Sequence, residues 1–219
     1  MRPRLHLVTD DEVLRDPAFR PRAARVLAEH GTRIALHVRG HGLGGRELHG
    51  IAAELREAAD AAGATLLVND RVDVALTAGA DGVQLGRRSL PIERARALLG
   101  IDAWIGWSAH DAGRGAKRAV DAGADFVVVG TIYPTASHPG RPAAGPGRVE
   151  SVVARTSAPV IAIGGVTPAR VPELREAGAY GVAVLSGVWR DPDPAVAVGR
   201  YLAMLESEGG DLDERFDGS

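Results

Sequence analysis

One junction recurs along this chain and constrains its fold more than any other feature. An alanine-rich amphipathic stretch ends at glycine, and a short aliphatic run follows. It occurs as Ala61-Ala62-Gly63-Ala64 before Thr65-Leu66-Leu67-Val68, as Ala78-Gly79-Ala80-Asp81 before Gly82-Val83-Gln84-Leu85, as Ala122-Gly123-Ala124-Asp125 before Phe126-Val127-Val128-Val129, and as Ala177-Gly178-Ala179-Tyr180 before Gly181-Val182-Ala183-Val184. Glycine closes a helix in the left-handed conformation without a Cβ penalty, and a continuous Val/Ile/Leu run suits a strand covered on both faces. Each junction therefore predicts helix, glycine cap, strand, and strands buried on both faces predict a parallel sheet.

Leu5 to Val8, Arg33 to Val38, Trp104 to Trp107 and Val160 to Ile163 bring the candidate strands to eight, separated mostly by helical patterns. Eight βα units in about 200 residues predict an α/β fold, a single (β/α)8 TIM barrel spanning 1–205, rather than an open doubly wound sheet. Asp16-Pro17 and Thr167-Pro168 each read as an N-cap with proline at the first helical position. Residues 206–219, with six acids, one arginine and three glycines, read as an acidic flexible tail. The Gly- and Pro-rich stretch from Pro134 to Gly147 is the one long irregular loop inside the barrel region, a length at which lids occur.

The 219 residues, 45% of them hydrophobic, fall within the range of one large domain. A net charge of −2 gives no global field for nucleic acid or an anionic membrane, so an anionic ligand must be held by local groups. The absence of cysteine excludes disulfides, thiolate nucleophiles and cysteine-ligated metals. No run approaches the ~20 apolar residues of a membrane span, and the apolar run at the N-terminus is too short for a signal peptide. The expectation is a cytoplasmic protein with neither nucleic acid nor membrane as partner.

In a barrel of this kind the site is built from loops at the C-terminal ends of the strands. Polar residues follow the aliphatic runs directly: Thr9 and Asp10; His37, Arg39 and His41; Asn69 and Asp70; Gln84; Ser108 and His110; Thr131, Thr135, Ser137 and His138. Gly164-Gly165 and Ser186-Gly187, after the seventh and eighth runs, are candidates for a phosphate site made of backbone N–H groups, or only for tight turns. His37 and Arg39, two apart, face the same way. Arg39 could clamp an anion or pair with Asp70. His41 reads as a solvated loop histidine. His110 is a candidate proton carrier or the first turn of a helix capped by Ser108 or Asp111. Asn69-Asp70 could cap a helix or bind a divalent ion, for which a lone carboxylate is weak support.

Seven ordered segments resemble the thiamine phosphate synthase and TenI superfamily over roughly Leu5 to Leu205. They are Leu7-Val8-Thr9-Asp10, Leu36-His37-Val38-Arg39, Val68 to Asp73, Gly79 to Gly86, Gly106-Trp107-Ser108-Ala109-His110, Gly130 to Thr135 and Ile163 to Pro168. The resemblance implies the barrel, a homodimer, a small phosphorylated thiazole substrate with its phosphate at loops seven and eight, and one of two activities. The synthase pattern has Gln and Lys flanking its strand-two arginine, where this chain has His37 and His41. It has Gln-Glu-Asp after Leu-Gly, the Asp serving as a second magnesium ligand, where this chain has Arg87-Arg88-Ser89. It also has a lysine soon after Pro-Thr, where this chain has His138.

Loss of cations and of a metal carboxylate weighs against departure of a magnesium pyrophosphate. The reading placed first is thus a metal-free TenI-like thiazole tautomerase without cofactor. In it His110 is acid/base, Arg39 orients an anion and His37 assists. Asn69, Asp70, Ser108, Thr135, Ser137, Gly164, Gly165, Ser186 and Gly187 bind the substrate and its phosphate. The alternative is a Mg2+-dependent synthase joining the thiazole phosphate to hydroxymethylpyrimidine diphosphate, with Asp70 on the metal. A third reading is a non-catalytic thiazole phosphate-binding regulator.

Overall fold

A computed structural model describes residues 2–109, 114–135, 140 and 142–207. Eight strands, β1 (Leu5–Val8), β2 (Ile34–Val38), β3 (Thr65–Asn69), β4 (Gly82–Leu85), β5 (Trp104–Ala109), β6 (Phe126–Val129), β7 (Val160–Ile163) and β8 (Gly181–Val184), close in sequence order into one parallel barrel. The helices are α1 (Asp11–Arg15), α2 (Phe19–His30), α3 (Gly45–Ala62), α4 (Val72–Thr77), α5 (Ile92–Leu99), α6 (Arg114–Asp121), α7 (Gly147–Val153), α8 (Val171–Glu176), α9 (Ser186–Trp189) and α10 (Pro194–Glu206). The predicted strands are all present, and β1 pairs with β8 through Leu5 and Val182 to complete the ring.

The junctions fold as their residues dictate. Gly63, Gly79, Gly123 and Gly178 have φ of 67°, 67°, 101° and 89°, where a side chain would be strained. In two of them the aspartate that follows ties down the barrel's N-terminal rim. Asp81 Oδ2 accepts from Leu66 N at 2.7 Å and from Arg56, and Asp125 Oδ2 accepts from Ile105 N at 2.8 Å and from Arg96.

One helix start differs from expectation. Asp16 does not cap α2; it closes α1, and its carboxylate accepts from Ala18 N at 2.9 Å. The N-cap upstream is Asp10, whose carboxylate accepts from Val13 N at 2.9 Å. Thr167-Pro168 does open a helical segment, a 3-10 turn over Pro168–Arg170 that leads into α8.

The main apolar core lies between the strands and the helices, among side chains such as Leu36, Leu48, Ile51, Leu66, Val83, Ile105 and Leu202. A smaller cluster, including Leu67, Phe126, Val128 and Ile161, fills the barrel itself. Buried among these inner residues is His6 on β1, whose ring stands 5.3 Å from that of Phe126 and 5.8 Å from that of Trp104. Among the described residues no helix is long and apolar enough to cross a membrane.

Candidate active site

The C-terminal mouth of the barrel holds a cavity of about 800 Å³. Its floor takes one side chain from every strand: Val8, His37, Asn69, Gln84, Ser108, Val128, Ile163 and Ala183. The ladder registers place these positions on the inner face, since Val8 pairs with His37, Asn69 with Gln84, Ser108 with Val128 and Ile163 with Ala183. The polar residues come from β2 to β5 and the apolar ones from β6, β7, β8 and β1. The floor therefore has a hydrogen-bonding half and an oily half, an arrangement suited to a flat ring with heteroatoms on one edge.

The phosphate-type cradle stands above the oily half. Gly164 and Gly165, with φ of 101° and 65°, follow β7, and Ser186 and Gly187 open α9 after β8. A Cβ on Gly164 would come 2.7 Å from Thr131 Cγ2, and one on Gly165 would come 2.5 Å from Pro134 O, so only glycine lets the turn after β7 pack against the segment that follows β6. All four residues line the cavity, and among the described residues none of their backbone N–H groups finds an acceptor. Unpaired backbone N–H groups on glycine-rich turns are the kind of donor that anion sites use.

Elsewhere around the mouth, at the ends of β2 and β4, lies a charged edge. Arg39, Arg87 and Arg88 line the cavity, and among the described residues no carboxylate pairs with any of them. Arg39 is carried by the end of β2, which Thr9 fastens: Thr9 Oγ1 donates toward His37 O at 3.1 Å and accepts from Arg39 N at 2.8 Å. The open choice between an anion clamp and a pair with Asp70 thus falls away from the pair. Asp70 instead accepts from the Ser89 hydroxyl at 2.5 Å and has His41 Nδ1 at 3.7 Å. Asp70 sits at φ 63°, a left-handed conformation that aspartate tolerates better than most residues. It caps no helix, since α4 starts from Arg71 without a side-chain cap.

His37 is fully buried, and desolvation lowers its pKa to about 4, so its ring is neutral at physiological pH. Its Nε2 lies 2.8 Å from His6 Nδ1 and its Nδ1 lies 3.3 Å from Asn69 Oδ1. Gln84 Nε2 donates to Ser108 Oγ at 2.9 Å, which places Ser108 within β5 and not at a helix cap.

The cavity thus gathers Arg39, His37, Asn69, Asp70, Ser108, Thr135, Gly164, Gly165, Ser186 and Gly187 from the residues expected to act. His110 and Ser137, together with His138, lie outside the described residues. Arg87 and Arg88 were read in the sequence only as departures from a pattern, and their place on the cavity wall could have been inferred from their position just past β4. His41, read as a solvated loop residue, is exposed but reaches the cavity rim beside Asp70.

Fold and cavity together define a (β/α)8 barrel whose C-terminal mouth gathers polar, cationic and glycine-rich elements in one cavity. Residues 5–188 match the TMP-TENI family, described as thiamine monophosphate synthase, and the chain belongs to that family. Membership ties it to thiamine biosynthesis. A thiamine-phosphate synthase of Salinispora arenicola (strain CNS-205) is 42% identical over 203 residues, covering 92% of this chain and 97% of that protein. A putative thiamine-phosphate synthase of Geobacter sulfurreducens is 46% identical over 164 residues, covering 73% and 75%. Among solved structures, a thiamine phosphate pyrophosphorylase from Pyrococcus furiosus superposes with a TM-score of 0.79 at 30% identity, covering 93% of this chain and 96% of that one. These names fall on the synthase side, against the order of preference that the substituted residues suggested.

Proposed function

We propose that the chain is a thiamine-phosphate synthase, joining a thiazole phosphate to hydroxymethylpyrimidine diphosphate with release of pyrophosphate. The observation that carries this reading is that one cavity gathers two sets of groups suited to anions. Backbone N–H groups after β7 and β8 face three guanidinium groups and one carboxylate after β2, β3 and β4. Two phosphorylated substrates need two such sets. The names of the relatives support the same reading.

In this scheme Gly164, Gly165, Ser186 and Gly187 hold the thiazole phosphate, and the floor orients the ring that each half presents. Arg39, Arg87 and Arg88 receive the pyrophosphate, and their positive charge at the place where negative charge grows favours its departure. They also replace, in part, the cations that the family pattern supplies from other positions.

Magnesium, which this reaction implies, fits the residues present without being fully caged by them. Asp70, which lines the cavity, offers a carboxylate, and Ser89, hydrogen-bonded to it, offers a hydroxyl; both are hard oxygen donors. Among the described residues no cluster of three His, Asp, Glu or Cys could hold a metal alone. Mg2+ commonly keeps several waters and takes one or two carboxylates plus substrate phosphate oxygens, so Asp70 and Ser89 with the diphosphate make a sufficient set. When bound, the ion neutralises charge on the departing pyrophosphate.

Ser89 is also the observation that favours a second reading. With a hydroxyl where a second carboxylate would stand, the site resembles a metal-free TenI-like tautomerase, in which the cationic edge takes the carboxylate of a single carboxythiazole phosphate. Two assays separate the readings. The synthase forms thiamine phosphate and pyrophosphate from both halves, and EDTA stops it. The tautomerase aromatises the carboxythiazole phosphate faster than the uncatalysed rate, and EDTA leaves it unchanged. No product in the first assay together with EDTA-insensitive conversion in the second would replace our reading. Silence in both assays, with tight binding of the thiazole phosphate, would point to a regulator.

A further inference from the structure

A line of polar groups runs up the barrel interior from its N-terminal rim to the cavity floor: Pro3 O, the His6 ring, the His37 ring and the Asn69 amide. His6 Nε2 lies 3.3 Å from Pro3 O, His6 Nδ1 lies 2.8 Å from His37 Nε2, and His37 Nδ1 lies 3.3 Å from Asn69 Oδ1. His6 is 0% exposed and His37 1%, so neither ring has solvent to satisfy a nitrogen left over. Contacts in a closed chain of this sort must balance donor against acceptor.

They do not balance as two neutral rings beside an acceptor at each end. Pro3 O can only accept, and Asn69 Oδ1 can only accept. The two end contacts and the one between the rings need three N–H protons, whereas two neutral imidazoles carry two. A third proton would create an imidazolium inside the barrel, and burial works against that charge in both rings. A half-turn of the Asn69 amide restores the balance, because its oxygen and nitrogen have nearly the same shape. His6 then donates from Nε2 to Pro3 O, His37 donates from Nε2 to His6 Nδ1, and Asn69 donates from Nδ2 to His37 Nδ1. Every group is then satisfied with two ring protons.

We infer that His6 is a positioning residue whose hydrogen bond to Pro3 O fixes the tautomer of His37 and, through it, turns the Asn69 carbonyl oxygen toward the cavity. Asn69 is then an acceptor in the cavity floor, selecting a ligand ring that presents an N–H donor at that edge. The backbone carbonyl of Pro3, at the opposite end of the barrel, thereby sets the polarity of the cavity floor through two imidazoles. The inference concerns ring protons and does not depend on which reaction the enzyme performs.

Nitrogen-15 NMR of the intact chain, uniformly labelled at histidine, tests it at pH 7. The expected result is that His6 and His37 both carry their proton on Nε2 and show a bare Nδ1. A His37 ring protonated on Nδ1, or an imidazolium in either position, would overturn the inference. The variant His6→Phe removes the acceptor that His37 Nε2 uses. In the folded variant the His37 proton moves to Nδ1, its 15N signal passing from the bare-nitrogen to the protonated range, and Asn69 Oδ1 accepts it. A folded His6→Phe chain in which His37 keeps its Nε2 proton would show that His6 does not set the tautomer. If His6→Phe does not fold, the wild-type spectrum alone decides.

Discussion

Ser89 does at Asp70 what a second acid could not. Two carboxylates at hydrogen-bond distance would repel one another unless a cation or a proton came between them. The Ser89 hydroxyl instead donates to Asp70 while accepting from Gly86 N at 2.8 Å, so Asp70 is held in place by a neutral partner. Asp70→Asn keeps the shape and removes the charge. If the synthase reading holds, it should lower kcat by about 100-fold, the scale on which one electrostatic group acts, with little change in KM for the thiazole phosphate. A mutant with full rate would remove Asp70 from the reaction. The cationic edge should behave differently. Arg88→Ala is expected to raise KM for the diphosphate substrate and leave KM for the thiazole phosphate unchanged, because the cradle for the latter lies across the barrel. Steady-state kinetics with each substrate varied in turn distinguishes the two, and an equal rise in both KM values would refute the division of the cavity into two anion positions.

The loops after β7 and β8 are specified by backbone shape more than by side chains, and substitution there is expected to act on the whole element. Gly164→Ala adds a methyl at φ 101° and within 2.7 Å of Thr131. A non-glycine residue in such a region costs of order 1–3 kcal/mol, to which the contact with Thr131 adds. The expected outcome is a lower unfolding midpoint and weaker thiazole phosphate binding by calorimetry; unchanged binding in a stable variant would remove Gly164 from the cradle. These elements were also the most legible in the sequence. The glycine-closed helices and the aliphatic runs encode local geometry directly, so the eight strands and the residues just past them could be named from spacing. The start of α2 departs from the sequence reading because a further short helix, α1, capped by Asp10, ends at Asp16, and α2 then begins from Ala18 without a side-chain cap. Arg87 and Arg88 were passed over because a charged dipeptide in a turn looks like solvated surface until barrel closure turns it toward the mouth. His6 was invisible for a different reason: its role depends on a ring in the neighbouring strand, and sequence spacing within one strand says nothing of that register.

At the scale of the molecule, the barrel spends stability on its interior. A TIM barrel can fill its centre with branched aliphatic side chains, yet this one places His6 and His37 there, buried against Phe126 and Trp104. The consequence is a pH dependence whose sign follows from which form is favoured. Folding favours the neutral ring of His37, lowering its pKa from 6.5 to about 4, and His6 shifts the same way through burial and the neighbouring ring. Above pH 6.5 neither the folded nor the unfolded chain protonates His37, and its contribution to stability does not change with pH. As pH falls from 6.5 toward 4, the unfolded chain takes up a proton that the folded chain refuses, so stability declines. Below about 4 both states are protonated and the loss from this group levels off. At about 1.4 kcal/mol per pKa unit, His37 alone accounts for a loss on the order of 3 kcal/mol across that window, and His6 adds to it. Urea unfolding at pH 7, 6, 5 and 4.5 should show the decline, and His37→Gln, which has no proton to gain, should flatten part of it. If wild type and variant lose stability in parallel over this range, the pair inside the barrel is not the source, and the carboxylates of the surface ion pairs become the better explanation.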